Sequence, residues 1–178
     1  MSLHTMQDLL VTQLRELHAS ERRSDEVLPR LADGAADREL ARFFQRHAED
    51  ARERARRLER VLDRIGAPAA DGTELHGFEG LCDDCLALAR QPDAEPHVRD
   101  AALVAVAQHV EHDRIAGYGC ARTWTTLLGH EDAAALLQES LDETRRADGE
   151  LNDLAESIHR AAPLEPMNPA ATDPGPTS

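Results

Sequence analysis

The chain has 178 residues, a net charge of -14 and only 3% aromatic residues. That acidity argues against nucleic acid, where affinity comes largely from cations facing phosphates, and against an anionic membrane surface. The length suits one domain, three cysteines do not suggest a disulfide framework, and no apolar run reaches the roughly 20 residues a membrane span needs. MSLHTMQDLL lacks a basic region followed by an apolar one, so no signal peptide is apparent and the expected compartment is the cytoplasm.

Apolar residues Met6, Leu10, Leu14, Leu17, Leu28 and Leu31 form one helical stripe from His4 to about Ala32, with Glu21 where an apolar residue is due. Thr5 and Asp8 have capping-box spacing, and Pro29 should kink the last turn or end the helix early. A second helix is expected from Asp37 to Ile65, on Leu40, Phe44, Ala51, Ala55, Leu58, Leu62 and Ile65, stopping at Gly66. His47 and Arg54 fall on or near this face, and Asp50 on its margin. The short link makes these two helices an antiparallel hairpin and puts Glu21 level with His47 and Asp50.

Residues 67–97 read as a long crossover punctuated by Gly and Pro, with a short helix over Phe78–Leu88. The next helix begins at Val98 (VRDAALVAVAQHVEHDRIAGYGCA) and ends near Gly129. Its stripe runs through Leu103, Val106, Ala107, Val110, Gly117, Tyr118 and Ala121, interrupted by Arg114 with Glu111 at the flank. Gly117 and Gly119 would let another helix approach closely. A last helix is expected over Glu131–Ala161, with Thr144 and Asp148 in central stripe positions. Pairing this second hairpin puts Glu111 level with Asp148, and Arg114 level with Thr144 or Arg145. Tyr118, one turn beyond Arg114, is within reach of the same polar layer.

The expectation is thus an all-α, ferritin-like four-helix bundle over residues 1–161, two antiparallel hairpins joined by the crossover, then a disordered proline-rich tail over 162–178. Ferritin-like bundles build di-metal sites from inward carboxylates and histidines at mid-height.

LHASERRSDEVLPRLADGA (17–35), HAEDARERARRLERV (47–61), FEGL (78–81), RDAALVAVAQHVEHDRIAGYG (99–119) and LLQESLDETRRADGEL (136–151) together resemble the YciE/YciF family of stress-associated bacterial proteins. The resemblance spans roughly residues 5–160 and implies a ferritin-like fold with a di-metal site. Its candidate ligands here are Glu21, His47, Asp50, Glu111 and Asp148. Besides Asp50, which stands where the family usually has glutamate, three positions depart from the family pattern. Arg114 replaces the last carboxylate of the family's Glu-His-Tyr-Glu motif, Thr144 replaces a glutamate, and Arg54 stands where the family has His or Gln.

Two functional readings follow. In one, the protein is non-catalytic and a buried network of salt bridges from Arg54 and Arg114 takes the metal's place. In the other, the layer holds iron, manganese or zinc as a mononuclear or dinuclear centre and handles iron or peroxide under stress, any enzymatic activity being a metal-dependent oxidation of ferroxidase or peroxide type. No nucleophile–base pair or nucleotide-binding loop is present, so hydrolysis has no support. Cys82 and Cys85 read as ordinary reduced, buried thiols, because neither zinc ligation nor thioredoxin-like chemistry finds its usual context. His112 reads as solvated or facing the crossover, and a homodimer is the expected partner state.

Overall fold

The computed structural model describes residues 3–67 and 76–164. Among them the chain is all helical, with α1 at Met6–Gly34, α2 at Arg38–Arg64, α3 at His76–Ala89, α4 at Pro96–Leu127 and α5 at Glu131–Ala161. Helix α1 packs mainly on α2 and α4 mainly on α5; α2 meets α5 and α1 meets α4, which closes a ring of four long helices. Helix α3 lies against α1 and α4. The tail expectation from residue 165 onward, and the Pro68–Leu75 part of the crossover, fall outside the described residues.

Local signals account for the ends. Thr5 caps α1 with its hydroxyl on the Asp8 amide, while the Asp8 carboxylate takes the Thr5 amide, a complete capping box. Asp37 caps α2 through the amides of Glu39 and Leu40. The turn between them is held from outside: buried Asp100 of α4 accepts the Ala36 and Asp37 amides at 3.0 and 2.6 Å.

Pro29 does not end the first helix early. Helix α1 runs through it to Gly34. The reason is packing: Leu28, Leu31 and Ala32 of that last turn are all buried, and burying one leucine contributes about 1.5–3 kcal/mol, enough to offset a lost backbone bond. Gly117 does sit at a close helix approach, as a methyl group there would come within 3.0 Å of Leu17 Cδ2.

The apolar core falls into two clusters. One joins Val27–Ala32 of α1, Leu40–Ala51 of α2, Leu103–Ala107 of α4 and Ala147–Ile158 of α5, with Phe78, Cys82, Cys85 and Leu86 of α3. The other joins Leu10–Leu17, Leu58–Ile65, Tyr118–Ala121 and Ala133–Leu141. On each long helix, the residues between the two clusters include the charged or polar groups singled out above: Glu21, Arg54, Glu111 with Arg114, and Thr144.

Candidate functional site

Glu21, Arg54, Glu111, Arg114 and Thr144 are each at most 2% exposed, so the charges of the first four and the Thr144 hydroxyl must be met inside the protein. Arg54 Nε and Nη2 donate to the two oxygens of Glu21 at 2.8 and 3.0 Å, a bidentate fork between α2 and α1. The Tyr118 hydroxyl donates to Glu21 Oε1 at 3.0 Å. Arg114 of α4 lies between the two carboxylates. Its Nη1 donates to Glu111 Oε1 at 2.6 Å, and its Nη2 lies 3.6 Å from Glu21 Oε2 and donates to the Ser24 hydroxyl. The Phe78 ring of α3 covers Arg114, with the guanidinium carbon 5.7 Å from the ring centroid, so the crossover helix forms part of the layer's roof.

His47 completes the chain of contacts, with Nε2 2.9 Å from Glu111 Oε1. Burial pulls the Glu111 carboxyl upward, but the Arg114 guanidinium and then His47 outweigh it and hold the group at about 2. An ionised carboxylate only accepts, so Nε2 is the protonated nitrogen of His47. Its Nδ1 is 3.9 Å from the Asp50 carboxylate, and the ring stacks on Phe43 at 5.1 Å. In Glu21 the same upward pull of burial is overcome by Arg114 and Arg54, and the carboxyl is lowered. Burial and then the Glu21 charge push the Tyr118 phenol well up, so it stays a donor.

The structure therefore brings Glu21, His47 and Glu111 into one layer and leaves Asp50 and Asp148 at its margin. Asp50 is exposed. Asp148 lies 3.8 Å from exposed His112, whose Nδ1 bonds the Gln108 carbonyl, and has no bond to Glu111. His112 is solvated, on the α5 side. Thr144 donates to the Ser140 carbonyl of its own helix.

Three participants lie outside the expectations drawn from the chain: Ser24, Phe78 and Arg57. Ser24 accepts from Arg114, and Phe78 covers it. Arg57 reaches Ser140 and Glu143 across the α2–α5 seam at 2.8–2.9 Å. A signal existed for Ser24, one turn after Glu21 on the same stripe.

A di-metal centre draws on bridging carboxylates with free oxygens and gathers positive charge. In this layer both Glu21 oxygens are bound by a guanidinium, a second guanidinium touches Glu111, and two carboxylates already meet two arginines. As arranged, these side chains do not fit such a centre. Among the described residues, no three His, Cys, Asp or Glu side chains come together as a ligand group. Cys82 and Cys85 are buried free thiols, raised by that burial, Cys85 to about 12; Cys120 is free and exposed. No helix among the described residues is long and apolar enough to cross a membrane.

Comparison with known proteins agrees with this architecture. A family profile described as a domain of unknown function, DUF892, matches residues 5–163. Protein YciF of Escherichia coli strain K12 is 31% identical over 155 residues, covering 87% of this chain and 93% of YciF. The crystal structure of that E. coli stress protein superposes with a TM-score of 0.85 at 29% identity, covering 90% of this chain and all of the other. YcfI of Rhodopseudomonas palustris, for which a structural role has been suggested, matches with a TM-score of 0.78 at 33% identity over 85% of this chain and 95% of its own. A Xanthomonas campestris protein shares the fold at 17% identity, with a TM-score of 0.69 over 88% of this chain and 94% of its own.

Proposed function

The chain belongs to the DUF892 family of YciF-like proteins, and from that premise we propose that it is a non-catalytic, structural member whose buried ion pairs do the work of a metal. In this reading the four long helices form a ferritin-like four-helix bundle, and the stress association carried by the name of the E. coli relative extends to this chain. The observation that carries the proposal is the Arg54 fork on Glu21. With Tyr118 on the same carboxylate and Arg114 beside it, Glu21 has its charge and hydrogen bonds met by protein groups alone. The structural role suggested for the R. palustris relative points the same way.

The test is metal analysis of untagged protein, as purified and after anaerobic Fe(II) loading. Sub-stoichiometric iron in both states is expected; one or two irons per chain overturns the proposal. The double variant Arg114→Glu with Thr144→Glu adds a positive arm. It removes one guanidinium, restores two carboxylates and should gain Fe(II) binding, whereas unchanged binding would mean that this layer does not correspond to the family's metal position.

A further inference from the structure

The two oxygens of Glu111 are treated unequally. Oε1 takes both His47 Nε2 and Arg114 Nη1, whereas Oε2 is buried and accepts no hydrogen bond from the described residues. An ionised oxygen in that position needs a donor. Glu111 also lines a cavity of about 20 Å³, together with Ser24, His47 and Cys82 and otherwise apolar side chains that include Val110 and Phe78. A volume above ~10–15 Å³ accommodates one water, and a water is retained where it finds two or more polar partners. Glu111, Ser24 and Cys82 are among the residues around this otherwise apolar cavity. The Ser24 hydroxyl donates to the Ser20 carbonyl and accepts from Arg114, which leaves it acceptor capacity, and the Cys82 thiol is a weak donor.

We propose that this cavity binds a single structural water, donating to Glu111 Oε2 and to Ser24 and accepting from the Cys82 thiol. The water links α1, α3 and α4 at the layer and satisfies a carboxylate oxygen that no side chain among the described residues reaches. It also explains why polar Ser24 and Cys82 border an otherwise apolar space. The inference goes beyond the absence of catalysis, since it assigns an occupant to a place the ion pairs leave open.

A high-resolution crystal structure of the full chain tests it, combined with water-to-methyl cross-relaxation measured by NMR. The expected result is one density peak about 2.7–3.0 Å from Glu111 Oε2, with long-lived water signals on the Val110 methyls. Empty density, or no long-lived water at those methyls, overturns the water site and leaves the proposed function standing. A peak about 2.0–2.2 Å from Oε2 with anomalous scattering is a metal and overturns both.

Discussion

Arg54 and Arg57 lie one turn apart on α2, and each grips a carboxylate with two nitrogens, yet their surroundings differ. Arg54 holds Glu21, which is 0% exposed, whereas Arg57 holds Glu143, whose side chain is 26% exposed at the α2–α5 seam. Water can solvate Glu143 once its partner is gone. It cannot reach Glu21 without parting the packed helices. The same fork is therefore a modest tie at the edge of the helix packing in one place and a condition of folding in the other.

The largest expected effect follows from breaking the inner pair on one side. Arg54→Ala should cost about 3–5 kcal/mol and lower the melting temperature by roughly 10 °C or more, read by denaturant and thermal unfolding. Replacing both partners, Glu21→Leu with Arg54→Met, should recover most of that loss, because no buried charge is left unmatched.

Acid comes next. Glu111 titrates at about 2 in the folded chain against an ordinary value of 4.5, and Glu21 is shifted in the same direction. A carboxylate lowered in the folded state contributes its full stability above the ordinary value and loses it as pH falls toward the folded one. Unfolding free energy should therefore drop between pH 4.5 and 2, by on the order of 3 kcal/mol from Glu111 alone. A flat profile across that window would contradict the pairing. Tyr118→Phe removes one hydrogen bond to a charged group and should cost about 1.5–3 kcal/mol. Arg57→Ala should cost least, about 1 kcal/mol, and its effect should shrink with added salt while that of Arg54→Ala does not.

The contrast also marks what could be read from the chain beforehand. Helix periodicity located the four long helices to within about two residues, because long amphipathic segments carry a strong signal, and the Gly and Pro residues around Phe78–Leu88 set off the short one. Glu21 and Arg114 stood out for the same reason, since each breaks an apolar stripe, while Glu111 lies at the flank of its stripe and Arg54 on or near its own. A salt-bridge network from Arg54 and Arg114, with Tyr118 in reach of it, was one of the two readings and agrees with the observed bonds; which group meets which was less accessible. Level-matching along hairpins set Glu21 beside His47 and Asp50, and Glu111 beside Asp148. The observed bonds instead run from Glu21 to Arg54 and Tyr118, and from Glu111 to His47 and Arg114, because side-chain length and direction decide which groups meet and level-matching of backbone positions ignores both. Arg57 gave no warning, since an arginine off the apolar stripe reads as solvent-facing. The roof over Arg114 was invisible too, because a crossover helix carries no register with the other four.

The central claim is that the inner layer is complete in its own charges. Thermal unfolding of the intact chain in excess chelator, and anaerobically with saturating Fe(II), Mn(II) or Zn(II), tests it most directly, because any ligand of the folded state raises the midpoint. The account predicts coincident curves. A rise of several degrees with one of these metals, abolished by Glu21→Gln, would contradict it.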